Sequence, residues 1–362
     1  MTITSTSSQT RWIRPEDARL TDLLEVLTEQ TELADYPHAT RLEQEVLVYE
    51  WATLRHTATD EVTRRDVQAE LARALSDGPG IVVLAGAFDA EPLDRATAAF
   101  ERMIAEQRAS GASAGDHFAK PGANDRIWNA LEKLAVVDPG AFVAYYANDA
   151  LALVAQAWLG PGYQVTSQLN VVNPGGAGQT VHRDYHLGFQ SAQTCSTYPA
   201  HVHALSQVLT LQGAVAHVDM AVESGPTLYL PHSQKFSHGY VAYQQPDFQA
   251  YFLDHHVQLP LAAGDAVFFN PALPRRGHQP HERRASHGQP AADQLGLRPG
   301  DGDRRPGACG RCDLPHAARR PRRRYAAARG RERRRRHRRG LCLPDEPRPR
   351  PARRRPVTPD TG

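Results

Sequence analysis

The composition of the chain breaks at about Pro274, and the break decides which part can build a core. Residues 274–362 hold 26 Arg, no Lys and 9 acidic residues, and lack Ile, Phe, Met and Trp altogether. A segment so poor in large apolar side chains cannot offset its ordering entropy by burial. Its net charge is +17, which leaves −15 on residues 1–273 and hides behind a formal net charge of only +2 for all 362 residues. The fold must therefore come mainly from the acidic first three quarters, long enough for one large domain or two ordinary ones.

Within that part the texture changes once more. Residues 1–79 are predicted to form a helical lead-in. Leu20, Leu23, Leu24, Leu27 and Leu33 recur near a 3.6-residue period, and further helices are expected through LEQEVLVYEWATLRH and RRDVQAELARALSDG, the last stopped by Gly78-Pro79-Gly80. GIVVLAGAFD (80–89) reads as a first strand, LDRATAAFERMIAEQRA as a helix, DHFAKPGANDRIW as loop, and residues 139–160 as one or two helices. After Gly160 short strands and Gly/Pro turns dominate: YQVTSQLNVVNPGG, SQVLTLQGAVAHVDM, ESGPTLYLPHS, and two strands around the turn Ala263-Gly264-Asp265. Helices followed by many short strands favour a mainly β fold, a sandwich or barrel, with a helical flank.

The chemistry concentrates at His182 and Asp184. On a strand, positions i and i+2 project from one face, so both side chains can reach one ion. An imidazole and a carboxylate, completed by a distant His, make the facial triad that suits Fe(II). The pattern is short, and the chain repeats it at His217 and Asp219, while His201 and His203 form another i, i+2 pair. His217 lies in an apolar stretch and reads as a satisfied structural histidine. His186 reads as exposed or as a neighbour of the site, and His232 and His238, in a Ser/Gln-rich loop, as solvated.

Four phrases in order raise the first pair above the others: GIVVLAGAFDAEPLDRA, HRDYH, AHVDMAVESGPTLYLPHSQK and GDAVFFNPAL. Over about residues 80–273 they resemble the phytanoyl-CoA dioxygenase family of Fe(II)/2-oxoglutarate-dependent oxygenases. The resemblance implies a double-stranded β-helix (a jelly roll, cupin-like) with the metal at one mouth. It implies Fe(II) and 2-oxoglutarate as cofactors, and O2 and a small-molecule C–H bond as co-substrate and substrate. By position it suggests Lys120, Gln212 and Arg284 as contacts for 2-oxoglutarate. The segment 185–206 would form an insertion at the barrel mouth.

The family's distal His should follow DAVFFNPAL almost at once, yet the chain reads Pro274-Arg275-Arg276-Gly277. With only two ligands, metal binding and turnover are expected to be weak. The missing His coincides with the break in composition, and one cause would explain both: a shifted reading frame of a GC-rich gene from about Pro274. Two other readings of the tail stand beside it. A disordered basic tail could bind nucleic acid through phosphates, although Tyr325 is its only aromatic residue for stacking. Cys309, Cys312, His316, His337 and Cys342 could be read as a zinc site, but their spacing fits no common zinc module. A binding module of the same fold without activity is the remaining alternative. No apolar run approaches the roughly 18 residues of a membrane span, and a cytoplasmic location is expected.

Overall fold

Strict alternation along three neighbouring strands sets the frame of the molecule. The computed structural model describes residues 12–111, 124–172, 180–184, 186–277 and 292–299, the last as backbone only. All of them belong to the first of two compact units, Met1–Asp303. The helices are α1 Leu20–Val26, α2 Trp51–Thr57, α3 Glu61–Ser76, α4 Ala90–Ala109, α5 Ala130–Val137, α6 Pro139–Tyr146, α7 Asp149–Leu159, α8 Ala192–Cys195, α9 Ala200–Ser206, α10 Gly239–Ala242 and α11 Pro246–His255. The strands are β1 Arg41–Glu43, β2 Val46–Glu50, β3 Ile81–Ala85, β4 Asn124–Ile127, β5 Tyr163–Val172, β6 Leu211–Val215, β7 Leu228–Tyr229, β8 Ala266–Phe269, β9 Arg275–Arg276 and β10 Ala292–Pro299.

Eight strands form one mixed sheet in the order β1-β2-β3-β8-β6-β10-β5-β4. Only the β2–β3 pair is parallel. Leu47 and Tyr49, Val82 and Leu84, and Ala266 and Phe268 point to one face, where they pack with α3, α4 and α7 through Leu71, Phe100 and Leu153. Val46 and Val48, Ile81 and Val83, and Val267 and Phe269 point to the other face, where they meet Tyr229 and Leu259. Both faces are thus buried, which is why IVVLA and AVFF are continuous apolar runs rather than alternating ones. Phe100 and Phe268 are wholly buried, and each such ring contributes about 1.5–3 kcal/mol by leaving water.

The second sheet is small. β7 pairs with β9, and isolated bridges extend it on both sides, His182 to Arg275 and Tyr229 to Val257. Its inner face closes over the larger sheet, with the Tyr229 and Phe269 rings 5.1 Å apart.

Several expectations change. The helix expected through residues 42–56 is a hairpin followed by α2. Gln44 and Glu45 both take positive φ and form the two-residue turn between β1 and β2, while the β-branched VLVY run is claimed by pairing with β3. The lead-in therefore contributes strands to the sheet as well as helices. The long strand expected from residue 206 begins only at Leu211, because the preceding HVHALS is helix α9. The stretch expected as loop contains β4, held by β5. Two strands, β9 and β10, come from beyond residue 273, and β10 lies between β5 and β6. Where one or two helices are expected in residues 139–160 there are two, α6 and α7, with Asp138 and Asn148 capping their first turns. Among the described residues no helix is long and apolar enough to cross a membrane.

Candidate metal centre

His182 and Asp184 come from a short extended segment that the small sheet holds from one side. His182 exchanges two backbone hydrogen bonds with Arg275, at 2.9 and 3.0 Å, and the Asp184 amide donates to the Pro271 carbonyl at 3.0 Å. Both side chains then face the same space. His182 Nε2 lies 3.7 Å from Asp184 Oδ1. With Nδ1 2.8 Å from the Thr180 carbonyl, the ring carries its proton there, leaving the Nε2 lone pair free. Burial, and then the charge of Arg275, pull the His182 pKa down to about 4, so the imidazole is neutral at physiological pH.

Beside the pair stands Arg275. Its Nη2 donates to Asp184 Oδ2, and the two residues are only 5% and 6% exposed. The guanidinium carbon stands 4.8 Å from the centre of the Phe269 ring. Burial lowers its pKa to about 9, still cationic at neutral pH. For Fe(II), a neutral imidazole and a carboxylate fit two corners of a triad, but a cation against the carboxylate does not fit a third. Among the described residues no group of three or more His, Cys, Asp or Glu could hold a metal ion.

Gln212, expected to contact 2-oxoglutarate, sits half-buried on β6 in register with Phe269, the residue under Arg275. Its β6 neighbours Leu211 and Val215 turn to the helical side, so Gln212 shares the inner face with Ala214. Lys120 and Arg284 lie outside the described residues, as do the five Cys and His positions of the zinc reading and most of the Arg-rich tail.

The other histidines separate clearly. His217 is buried, with Nδ1 2.7 Å from Thr97 Oγ1 and Nε2 3.0 Å from the Tyr145 hydroxyl, the satisfied structural role expected. Asp219 is exposed and accepts from the Ala263 amide. His201 and His203 are not a same-face pair, because they lie on α9; His203 is buried against the Cys195 carbonyl and His201 is exposed. His232, expected to be solvated, is 4% exposed. It bridges Thr31 Oγ1 at 3.0 Å and Lys235 Nζ at 2.9 Å, tying the N-terminal segment to the loop after β7. His186 takes positive φ and places Nδ1 3.3 Å from Ser206 Oγ, while the segment 185–206, expected as an insertion, contains α8 and α9.

Two residues of consequence are not marked by the sequence. Arg275 is there one arginine among many. Arg183, between the two candidate ligands, faces the other way and is fully enclosed. A charged residue between two same-face positions of a buried strand was the available signal.

A mixed sheet closed by a smaller one carries the candidate pair, with His182 bridged to the smaller sheet and Asp184 two residues on. The family model for phytanoyl-CoA dioxygenase matches residues 76–285, and the chain belongs to that family. A search of curated proteins returned no match. Among solved structures, the chain is similar to the non-haem α-ketoglutarate-dependent carbocyclase SnoK from nogalamycin biosynthesis, at 17% identity over 66% of this chain and 90% of that one, with a TM-score of 0.46. It is also similar to EctD from S. alaskensis, solved with 2-oxoglutarate and 5-hydroxyectoine, at 18% identity over 64% of this chain and 76% of that one, with a TM-score of 0.45.

Proposed function

We propose that this chain is an Fe(II)/2-oxoglutarate-dependent oxygenase on a double-stranded β-helix, directed at a C–H bond of a small molecule with O2 as co-substrate, and that as written it holds its metal weakly. The observation that carries this reading is Arg275: it stands across the strand pair from His182, where the family's distal His belongs, and its guanidinium neutralises Asp184 instead. His182 and Asp184 are the metal ligands in this reading, with Gln212, Lys120 and Arg284 toward 2-oxoglutarate. The oxygenase domain runs from about residue 80, residues 1–79 serve as its lead-in, and the Arg/Pro-rich residues 274–362 follow from a shifted frame. The location is cytoplasmic, and nucleic acid is not the partner.

The same observation supports a second reading, a binding module of the same fold without turnover, in which the ion pair is the final state of the site. Anaerobic titration with Fe(II) and 2-oxoglutarate separates the two. The chain as written should show no metal-to-ligand absorption band and release no succinate in air. Arg275→His should gain both. A strong band from the unaltered chain would overturn the weak-metal reading; a folded Arg275→His variant without a band would favour the binding module.

A further inference from the structure

The loop after β7 meets the N-terminal segment at a cluster of charged and polar side chains that the candidate centre does not use. His232, buried and at a φ of +67°, lies in its middle. Nε2 stands 3.0 Å from Thr31 Oγ1 and 3.7 Å from Glu45 Oε2. Nδ1 stands 2.9 Å from Lys235 Nζ. Lys235 in turn pairs with Glu29 and donates to the Asp77 carbonyl at 2.9 Å, while the Thr31 amide donates to Glu45 Oε2 at 2.6 Å. Glu29, Glu45 and Lys235 are thus the charged groups around the ring, and Asp77 faces the cluster with its backbone carbonyl.

The hydrogen bonds fix the protonation of the ring. A threonine hydroxyl has one proton to give, and Thr31 gives it to the Glu45 carbonyl at 3.1 Å. At His232 the hydroxyl therefore accepts, so Nε2 carries the ring proton. Nδ1 is left with a lone pair, which is what the Lys235 ammonium, a donor without one, requires. The neutral imidazole thus joins residues 29–31 and 45 to residues 233–235. The same loop holds Arg183 Nη2 on the Ser233 carbonyl and donates from Gln234 Nε2 to the Gly78 carbonyl, each at 2.9 Å. A second ring proton could enter only at Nδ1, facing the Lys235 charge. Burial, and then that charge, hold the His232 pKa below the usual histidine range, against the opposite pull of Glu45 and Glu29.

We propose that His232 is the pin of a proton-sensitive latch: neutral, it fastens the N-terminal segment to the loop after β7, and a proton taken from solvent at Nδ1 sets an N–H against the Lys235 ammonium and opens the join. Once open, the ring titrates as an ordinary histidine near pH 6.5. The latch is therefore fully fastened above about pH 6.5 and loosens as the pH falls below it.

The test is amide hydrogen exchange on the full chain, read by NMR and corrected for the intrinsic pH dependence of exchange. The Thr31 amide reports the latch, and the amides of β3 and β8 report global unfolding. From about pH 7.5 to about pH 5, protection of Thr31 should fall about tenfold more than that of β3 and β8. His232→Gln keeps both contacts, since its amide can donate to Thr31 and accept from Lys235, but it does not titrate. That variant should keep Thr31 protected at pH 7.5 and lose the pH dependence. Should it fail to fold, Lys235→Gln serves instead: a side-chain carbonyl there can face a charged imidazole, so the fall should shrink. Thr31 protection that tracks β3 and β8 at every pH, or an undiminished fall in either variant, would overturn the proposal.

Discussion

Arg275 and Asp184 form a buried ion pair although 91 positions of sequence separate them. Breaking such a pair from one side leaves an uncompensated charge in a site that water barely reaches, which costs about 3–5 kcal/mol. Arg275→Met should therefore lower the urea midpoint sharply, and so should Asp184→Leu. The double variant should cost clearly less than the two singles together, because no orphan charge remains. Additive losses in a double-mutant cycle would mean the two side chains do not depend on each other.

That pair also marks the limit of what the sequence discloses. His182 and Asp184 were legible because a strand's period of two brings i and i+2 together without any tertiary knowledge. The strands IVVLA and AVFF were legible because burial on both faces leaves an unbroken apolar run. Arg275 was not: in the sequence it is one arginine among many, and only the pairing of β7 with β9 and the bridge to His182 give it a carboxylate. His232 was hidden for a similar reason, since its partner Thr31 lies 201 positions away. The β1–β2 hairpin was missed because its turn residues, Gln44 and Glu45, are ordinary helix formers held at positive φ by the strands they join.

His217 makes a prediction about pH. Burial depresses its pKa from 6.5 to about 4, so the fold holds it neutral between Thr97 and Tyr145. The unfolded chain takes up the proton first. Stability from this group is complete above about pH 6.5 and drains away as pH falls toward 4, by about 3 kcal/mol in all, since each pH unit in that window removes about 1.4 kcal/mol. His217→Gln should flatten the acid side of the stability profile between pH 6.5 and 4, at some constant cost in packing. An unchanged acid limb in that variant would show that other groups set it.

Gly264 tests the turn between the Met220–Leu261 bridge and β8. Its φ is +92°, and a Cβ there would stand 2.6 Å from the Phe88 carbonyl oxygen. The same turn binds the start of α4, since the Phe88 amide donates to the Gly264 carbonyl at 2.9 Å. Gly264→Ala should cost about 2 kcal/mol or more, combining the left-handed penalty with a clash against backbone. Equilibrium urea unfolding reads it directly, and a midpoint within error of the parent would contradict the geometry.

The reading frame yields the sharpest prediction about the centre itself. Arg275 pairs with Asp184 beside His182, and it is also among the first residues of a composition foreign to the rest of the chain. The two facts are linked at the level of codons. A proline written CCA followed by any CGN arginine contains, one base later, the codon CAC, which is histidine. The shift that would explain the arginine-rich tail would thus place a His within one residue of position 275, opposite His182, where the third ligand is missing. Independent resequencing of the gene across the codons for Leu273 to Arg276 should find a frame error there. Expressed from the corrected frame, the protein should bind Fe(II) with 2-oxoglutarate and show the absorption band that is not expected of the chain as written. A frame confirmed intact would leave Arg275 as the native residue, and the ion pair with Asp184 would then be the site's own design.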